Sequence, residues 1–309
     1  DKVSWWYKFK NNRWNYRNSY KLLEELDLKK SILGNLINEL KLDCSNITKK
    51  NIPKIISYGE RFTTLILNQF LSLNSIKSKL INGYDIIKTK NLFENMSNKA
   101  HMKGEFYCEE NIKMELENND IIITQGFVAK TSDNYICTLT RGGSDTTASL
   151  IASTLNAKKL EIWTDVNGIY NADPNIIKYA KVIRNIDYEL CQEMAGMGAK
   201  VLHPYCIKPC MQKNIPIYIK NTYNINEENT KIDSIYNDHL SIILDKGNQV
   251  FNITSLNMWN DYGFVADIFS KFKKYSIDIN IITTSQYSIL ATTKAATKEL
   301  NNEKVQNLK

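Results

Sequence analysis

The chain has 309 residues, 43% of them hydrophobic and 24% charged, with 12 glycines, 5 prolines and a net charge of +7. That is enough apolar material for one large or two smaller packed cores, and the scarcity of Pro and Gly together with the lack of a long apolar run excludes collagen-like, low-complexity and helical membrane-spanning classes. The basic excess is spread along the chain and suits an anionic small ligand as well as a polynucleotide, while six cysteines without a C-x-x-C pair read as reduced thiols of a cytoplasmic protein.

The opening residues, Asp1-Lys2-Val3-Ser4-Trp5-Trp6, contain no apolar segment followed by a small-residue cleavage site, so no signal peptide is expected. An initial Asp in place of Met leads us to expect a piece of a longer chain. Over residues 1–20, Lys8, Lys10, Arg13 and Arg17 alternate with Trp5, Trp6, Tyr7, Phe9, Trp14 and Tyr16. A base-stacking, phosphate-binding arm has this composition, although aromatics at helical spacing are more often core residues.

From residue 19 to about 41, Leu22, Leu23, Leu26, Ile32, Leu33, Leu36, Ile37 and Leu40 recur at spacings of three and four, and Phe62, Leu65, Ile66, Phe70 and Leu73 do the same, so the first hundred residues are expected to be mainly helical. Ile121-Ile122-Ile123-Thr124 and Tyr135–Thr140 read as strands, Ser144–Ala157 as a helix, and Leu160–Thr164 as a buried strand. Helices are expected around 187–196 and 199–213, followed by a strand over Ile215–Ile219. This alternation predicts an α/β sandwich with a largely parallel sheet. The polar stretch 221–231 marks the best domain boundary, and beyond it a β-α-β unit is expected, with strands at 249–256 and Ile277–Thr284 flanking a helix from Gly263 to Tyr275.

Three segments carry chemistry. Thr140-Arg141-Gly142-Gly143-Ser144-Asp145 lies between a strand and a helix, where two glycines let the backbone approach an anion and the helix start offers free N–H groups. Arg141 can hold a carboxylate or phosphate in bidentate fashion, and Asp145 a cation; a glycine turn with Ser144 as helix cap explains the same residues without a ligand. In Trp163–Pro174, Thr164 and Asp165 follow the C-terminal end of a strand, the edge where α/β sheets bind ligands, and Tyr170 offers a stacking surface. Asn-Gly and Asp-Pro turns are the alternative account of that stretch. In Gly196–Pro204, Lys200 follows two glycines at an expected helix start, placed to reach a phosphate. His203, Cys206 and Cys210 have helical spacing, but Pro204 and Pro209 interrupt the helix and no fourth ligand is evident, so no metal site is expected.

In order and spacing, from about residue 50 to residue 290, the chain resembles the aspartate kinases of the amino-acid kinase family. The resemblance rests on Ser57-Tyr58-Gly59-Glu60, Ile123-Thr124-Gln125-Gly126-Phe127, Arg141–Asp145, Trp163-Thr164-Asp165-Val166, Gly168-Ile169-Tyr170, Asp173-Pro174, Glu193-Met194-Ala195 and Gly198–Pro204. The tail, from Ser255 through Gly263-Phe264 to Ser285, resembles the first regulatory ACT module of the single-function, lysine-sensitive type.

The resemblance implies a three-layer αβα sandwich over residues 1–232 and a partial ACT module over 233–309, pairing as a homodimer. It implies transfer of the γ-phosphate of Mg-ATP to the side-chain carboxylate of L-aspartate, with Mg2+ carried by the nucleotide and neither nucleic acid nor membrane as partner. By resemblance, Glu60 holds the substrate amino group; Arg141, Gly142, Gly143 and Ser144 hold its α-carboxylate; Asp145 organises the centre near the transferred phosphoryl; and Thr164, Asp165, Tyr170 and Lys200 line the nucleotide site. An amino-acid effector, lysine, is assigned to Met258, Gly263, Phe264, Asn280, Thr284 and Ser285.

The family's opening Lys-Phe-Gly-Gly-Thr-Ser loop has no counterpart in these residues, and Thr140 and Asn175 stand where glycine and arginine are usual. Asn280 and Gln286 stand where lysine-inhibited relatives often carry carboxylates, so weaker lysine binding is expected. An impaired catalyst and a non-catalytic amino-acid sensor are both consistent with these departures.

Overall fold

A computed structural model of the chain describes residues 24, 30–93, 101–102, 105–140, 142–199, 202–226, 229–236, 239–244, 246–255, 258, 262–275 and 277–294. The basic aromatic segment 1–20, Arg141 and Lys200 lie outside the described residues. Two compact units form, one of residues 1–171 with 180–240 and one of 172–179 with 241–309.

In the first unit a 3-10 turn at Lys30–Leu33 leads into helix α1 (Gly34–Ser45), followed by α2 (Ile52–Ile56) and α3 (Tyr58–Leu73). Their three- and four-residue apolar spacing closes one cluster of Leu33, Leu36, Ile37, Leu40, Ile55, Tyr58, Phe62 and Ile66. Strands then appear where helix was expected. β1 (Ser78–Ile81) pairs in parallel with β5 (Ile121–Thr124). After a short helical turn, α4 (Gly83–Ile86), β2 (Ile87–Thr89) pairs in parallel with β6 (Val128–Lys130) and antiparallel with β4 (Phe106–Cys108). These early strands are short, and long-range partners rather than local periodicity define them.

β6 turns back antiparallel onto β7 (Ile136–Leu139), which also pairs in parallel with β3 (His101–Met102), giving the order β3-β7-β6-β2-β4. Helix α5 (Asn111–Glu117) precedes β5, and α6 (Gly143–Leu155) follows β7. A second sheet has the order β8-β10-β11-β9, formed by β8 (Leu160–Thr164), β9 (Asn185–Asp187), β10 (Ile217–Asn221) and β11 (Thr230–Asp233). Its parallel pairs, β8 with β10 and β9 with β11, are joined by the antiparallel pair β10 with β11. The sheets are thus mixed rather than largely parallel.

Helix α6 packs against β4, β6 and β7 of the first sheet and β8 of the second, and so joins them. The same helix meets the 3-10 turn Pro204–Cys206 and α8 (Ile207–Met211), where the Ser149 hydroxyl lies 3.2 Å from the Cys210 sulfur. Helix α7 (Tyr188–Met197) is capped by Asp187, whose Oδ1 accepts from the Leu190 N–H at 2.8 Å. The cysteines are free, and all except Cys44 are buried. Among the described residues no helix is long and apolar enough to cross a membrane, and no group of three or more His, Cys, Asp or Glu side chains is arranged to hold a metal.

The second unit has the expected β-α-β order, as β12 (Asn248–Thr254), α9 (Phe264–Lys274) and β13 (Ile281–Thr284), and adds β14 (Ser288–Lys294). β14 pairs antiparallel with both other strands and is the centre of the sheet, a strand that the sequence reading did not identify. Phe272, Ile277 and Ala291, with Phe251, Ile253 and Ile268 against them, form the core between helix and sheet. On the opposite face Val250, Ile281 and Leu290 are exposed.

A charged network ties α1 to α2 and α3, and thereby fixes the helix that carries Glu60. Lys54 Nζ lies 2.8 Å from Glu39 and 2.9 Å from Asp43, Arg61 reaches Glu39 at 2.9 Å, and the Tyr58 hydroxyl donates to Asp43 at 2.6 Å. Burial alone would raise the Glu39 carboxyl, but hydrogen bonds from Arg61 and Lys54 override it and hold Glu39 at about 2. Its value lies below that of an unfolded chain, so its contribution is complete at neutral pH and is lost as pH falls from about 4.5 toward 2. Because these side chains are partly exposed, Glu39→Gln should cost only about 1 kcal/mol at pH 7. In acid titrations of stability it should flatten the loss below pH 4.5 that the parent chain displays.

Candidate active site

The turn between β7 and α6 is built by three glycines at which a side chain has no room. Gly142 occupies the N-cap position in the left-handed conformation at φ +73°, and a Cβ there would lie 2.2 Å from the Cβ of His203. At Gly143 a Cβ would lie 2.8 Å from Leu139 and 2.9 Å from Phe127, and at Gly126 it would lie 2.9 Å from the Ser144 backbone. The absence of side chains that was read as room for an anion therefore also lets three protein segments meet: the β5–β6 turn, the start of α6, and Leu202-His203-Pro204.

Ser144 is not the cap; it lies in the first turn of α6, and no side chain caps this helix. Glycine at the N-cap offers the first amides of α6, at the positive end of the helix dipole, no side-chain acceptor of its own. Thr147 steadies the arrangement, donating to Gly143 O at 2.8 Å and accepting from the Phe127 N–H at 3.1 Å.

Glu60 stands in the first turn of α3. A hydrogen-bonded chain leads from its turn to the glycine contact: the Thr64 hydroxyl donates to Glu60 O at 2.8 Å, Gln125 Nε2 donates to that hydroxyl at 2.9 Å, and Gln125 Oε1 accepts from the Gly83 N–H at 2.8 Å. Gln125 is 1% exposed and directly precedes Gly126. It appeared in the sequence motif, but its linking role depends on two partners distant in the chain.

Burial raises the carboxyls of both Glu60 and Asp145 above the usual carboxylate range, the backbone N–H of Glu60 offsetting part of its rise. Among the described residues neither has a cation within ion-pair distance. Burial, with the nearby Asp145 charge adding to it, also pushes the Cys206 thiol up, which keeps it neutral beneath the helix start. Partly buried carboxylates without a cation partner among the described residues, one of them in the first turn of a helix, can bind a ligand that carries an ammonium or metal cation.

Thr164 ends β8, and its hydroxyl donates to Asp165 Oδ1 at 3.1 Å; Asp165 itself is exposed. Tyr170 is half-buried and forms an isolated antiparallel bridge with Val182. Among the described residues no direct contact joins these residues to the cradle. Lys200 lies outside the described residues, but its setting differs from the one expected. Gly198, at φ +114°, ends α7 in the left-handed conformation, and the Ala199 N–H closes onto Met194 O at 3.0 Å. Gly196 thus lies within a helix and Gly198 closes it, and the next helical turn among the described residues begins at Pro204, with His203 as its N-cap.

In the second unit, Gly263 is the N-cap of α9 at φ +96°, and Phe264 is its first residue. Thr284 ends β13, and Ser285 closes the following turn through the Ser288 hydroxyl at 2.8 Å. The Ser255 N–H bonds Tyr287 O at 3.0 Å and Met258 N–H reaches Ser255 O, so Met258 lies toward the same end of the sheet as Thr284 and Ser285. Asn280 precedes β13 and lies at its other end.

The amino acid kinase family model matches residues 14–221. Lysine-sensitive aspartokinase 3 of Escherichia coli (strain K12) is 31% identical over 242 residues, covering 77% of this chain and 54% of that protein. Aspartokinase 3, chloroplastic, of Arabidopsis thaliana is 31% identical over 255 residues, covering 80% of this chain and 45% of that one. Among solved structures, E. coli aspartokinase III in complex with aspartate and ADP has a TM-score of 0.70 and 25% identity, covering 96% of this chain and 66% of that one. The Clostridium acetobutylicum aspartate kinase structure has a TM-score of 0.68 at 22% identity, covers 95% of this chain and 64% of that one, and shows the same fold. The chain spans about half the length of the curated relatives it matches.

Two outcomes follow from the geometry. Gly142→Ala should destabilise the chain by at least about 1–2 kcal/mol from the backbone alone, read as a lower denaturation midpoint. A carboxyl raised by burial opposes folding at any pH where the unfolded chain would ionise it, so Asp145→Asn and Glu60→Gln should raise the melting temperature at pH 7. That gain should vanish in acid, where the carboxyls are protonated in both states.

Proposed function

Because the chain belongs to the amino acid kinase family, we propose that it carries the catalytic machinery of an aspartate kinase, transferring the γ-phosphate of ATP to the side-chain carboxylate of L-aspartate to give 4-phospho-L-aspartate. The observation that supports this reading best is the pair of half-buried carboxylates, Glu60 and Asp145, both without a cation partner among the described residues, with Asp145 in the first turn of a helix whose N-cap is a glycine. An amino-acid substrate supplies the missing charges in the complementary pattern.

In this reading Glu60 receives the substrate ammonium, and Arg141 with the amides of Gly142, Gly143 and Ser144 receives its α-carboxylate. The attacking side-chain carboxylate is already ionised at neutral pH, so the protein has little proton transfer to perform; its work is alignment and charge neutralisation. Magnesium carried by the nucleotide would neutralise charge on the phosphates, and the Asp145 carboxylate, without a cation partner among the described residues, would fit that cation. Thr164, Asp165, Tyr170 and Lys200 take the nucleotide.

We assign residues 1–232 to the catalytic domain and 233–309 to a partial ACT module that pairs with a second copy through the exposed face bearing Val250, Ile281 and Leu290. Cytoplasmic placement is part of the same proposal, and the free cysteines are compatible with it.

Calorimetric titration with ADP, and phosphoryl transfer measured as aspartate-dependent ADP release, test the reading. ADP binding is expected, with aspartate-dependent turnover slow because the family's opening Lys-Phe-Gly-Gly-Thr-Ser loop has no counterpart in these residues, and Asp145→Asn should lower that turnover at least about 100-fold. No ADP binding by the chain, or release indifferent to aspartate, would overturn the proposal. Lysine should bind weakly, because the neutral amides of Asn280 and Gln286 pair poorly with ammonium groups; micromolar binding in the same calorimeter would contradict that.

A further inference from the structure

The loop that follows β8 is held at both ends by residues distant in sequence. At its start the Thr222 N–H donates to Thr164 O at 2.8 Å, and Asn221 Nδ2 donates to Asn167 Oδ1. The Asn221 side chain is oriented in turn by the Tyr223 N–H, which donates to its Oδ1 at 2.8 Å.

At the far end, the Ile169 N–H donates to the Thr230 hydroxyl at 2.8 Å, and that hydroxyl donates to Ile183 O at 2.7 Å. Thr230 is 0% exposed. Gly168 makes the contact sterically feasible, since a Cβ there would lie 2.3 Å from the Thr230 oxygen. Residues 169–171 then run as a ribbon beside 181–183, with Ile183 N–H on Ile169 O at 2.8 Å and Asn171 N–H on Lys181 O at 3.0 Å.

Thr164 is itself held by the first anchor, Asp165 lies between Thr164 and the second, and Tyr170 directly follows the second. Resting on the nucleotide reading of this loop, we infer that Thr230 and Asn221 are positioning residues that preset the loop for the nucleotide, so that its ordering cost is met on folding rather than on binding. The Thr230 hydroxyl satisfies a buried donor and a buried acceptor at once. Replacing it by a methyl group leaves the Ile169 N–H and the Ile183 carbonyl unpaired in the interior, and the loop is released from β11.

The test compares Thr230→Val, Thr230→Ser and Asn221→Ala in the full chain, with ADP and aspartate titrated calorimetrically and melting recorded for each. Thr230→Val should weaken ADP about tenfold, equivalent to about 1.4 kcal/mol, and leave aspartate within about twofold of the parent. Thr230→Ser keeps the oxygen and should restore ADP binding to within about twofold. A variant that binds ADP as the parent does, or that loses ADP and aspartate in parallel, overturns the inference while the nucleotide reading stands.

Failure of the parent chain itself to bind ADP overturns the nucleotide reading and, with it, this inference. If Thr230→Val does not melt cooperatively, Asn221→Ala decides. A loss of ADP affinity of about threefold with aspartate unchanged supports the inference, and unaltered ADP affinity overturns it.

Discussion

The arrangement depends on three positions without side chains around the start of α6. Gly126, Gly142 and Gly143 face Ser144, His203, and Leu139 with Phe127, at distances that no Cβ tolerates. Van der Waals exclusion rises steeply at such separations, so any side chain there would push apart the segments that build the site. Because α6 also touches strands of both sheets, a shift at its N-terminus would be transmitted to each of them.

The carboxylates of this protein divide into two groups by what surrounds them. Glu39 lies among Arg61 and Lys54, and Glu161 among Lys159 and Lys220; each is held near 2 and acts as structural glue. Glu60 and Asp145 are raised by burial and have no such partner among the described residues. Burying a carboxylate without a cation costs free energy, and that cost persists in a folded chain where a ligand offsets it. The contrast between acids with and without a described cation partner is the physical ground on which the proposed site rests.

The parts legible in the sequence are those decided over short distances. The β-branched run Ile121–Thr124, the strand–glycine–helix order around 136–155, and the strand ending at Thr164 were all readable, because pleat and helix periodicity are local properties. The early strands β1 and β2 and the central β14 were not. They are short or carry mixed polarity, and pairing with strands many residues away makes them strands at all. The glycines near Lys200 were legible as a break but not as a stop: Gly198 serves as a helix C-cap because α7 precedes it, and two glycines by themselves carry no direction.

Residue order alone was enough to reveal the family, much of the alternation of elements and the glycine turn that joins a strand to a helix at 142–143. Those depend on residue type and near-neighbour spacing. Only the tertiary structure decided that Gly142 must leave room for His203, that Gln125 ties the Glu60 helix to the cradle, and that the Thr230 hydroxyl holds a loop sixty-one residues earlier in the chain. The reason is physical: burial, steric exclusion and the satisfaction of a buried hydrogen bond are properties of the space between segments, and that space does not exist until the chain has folded.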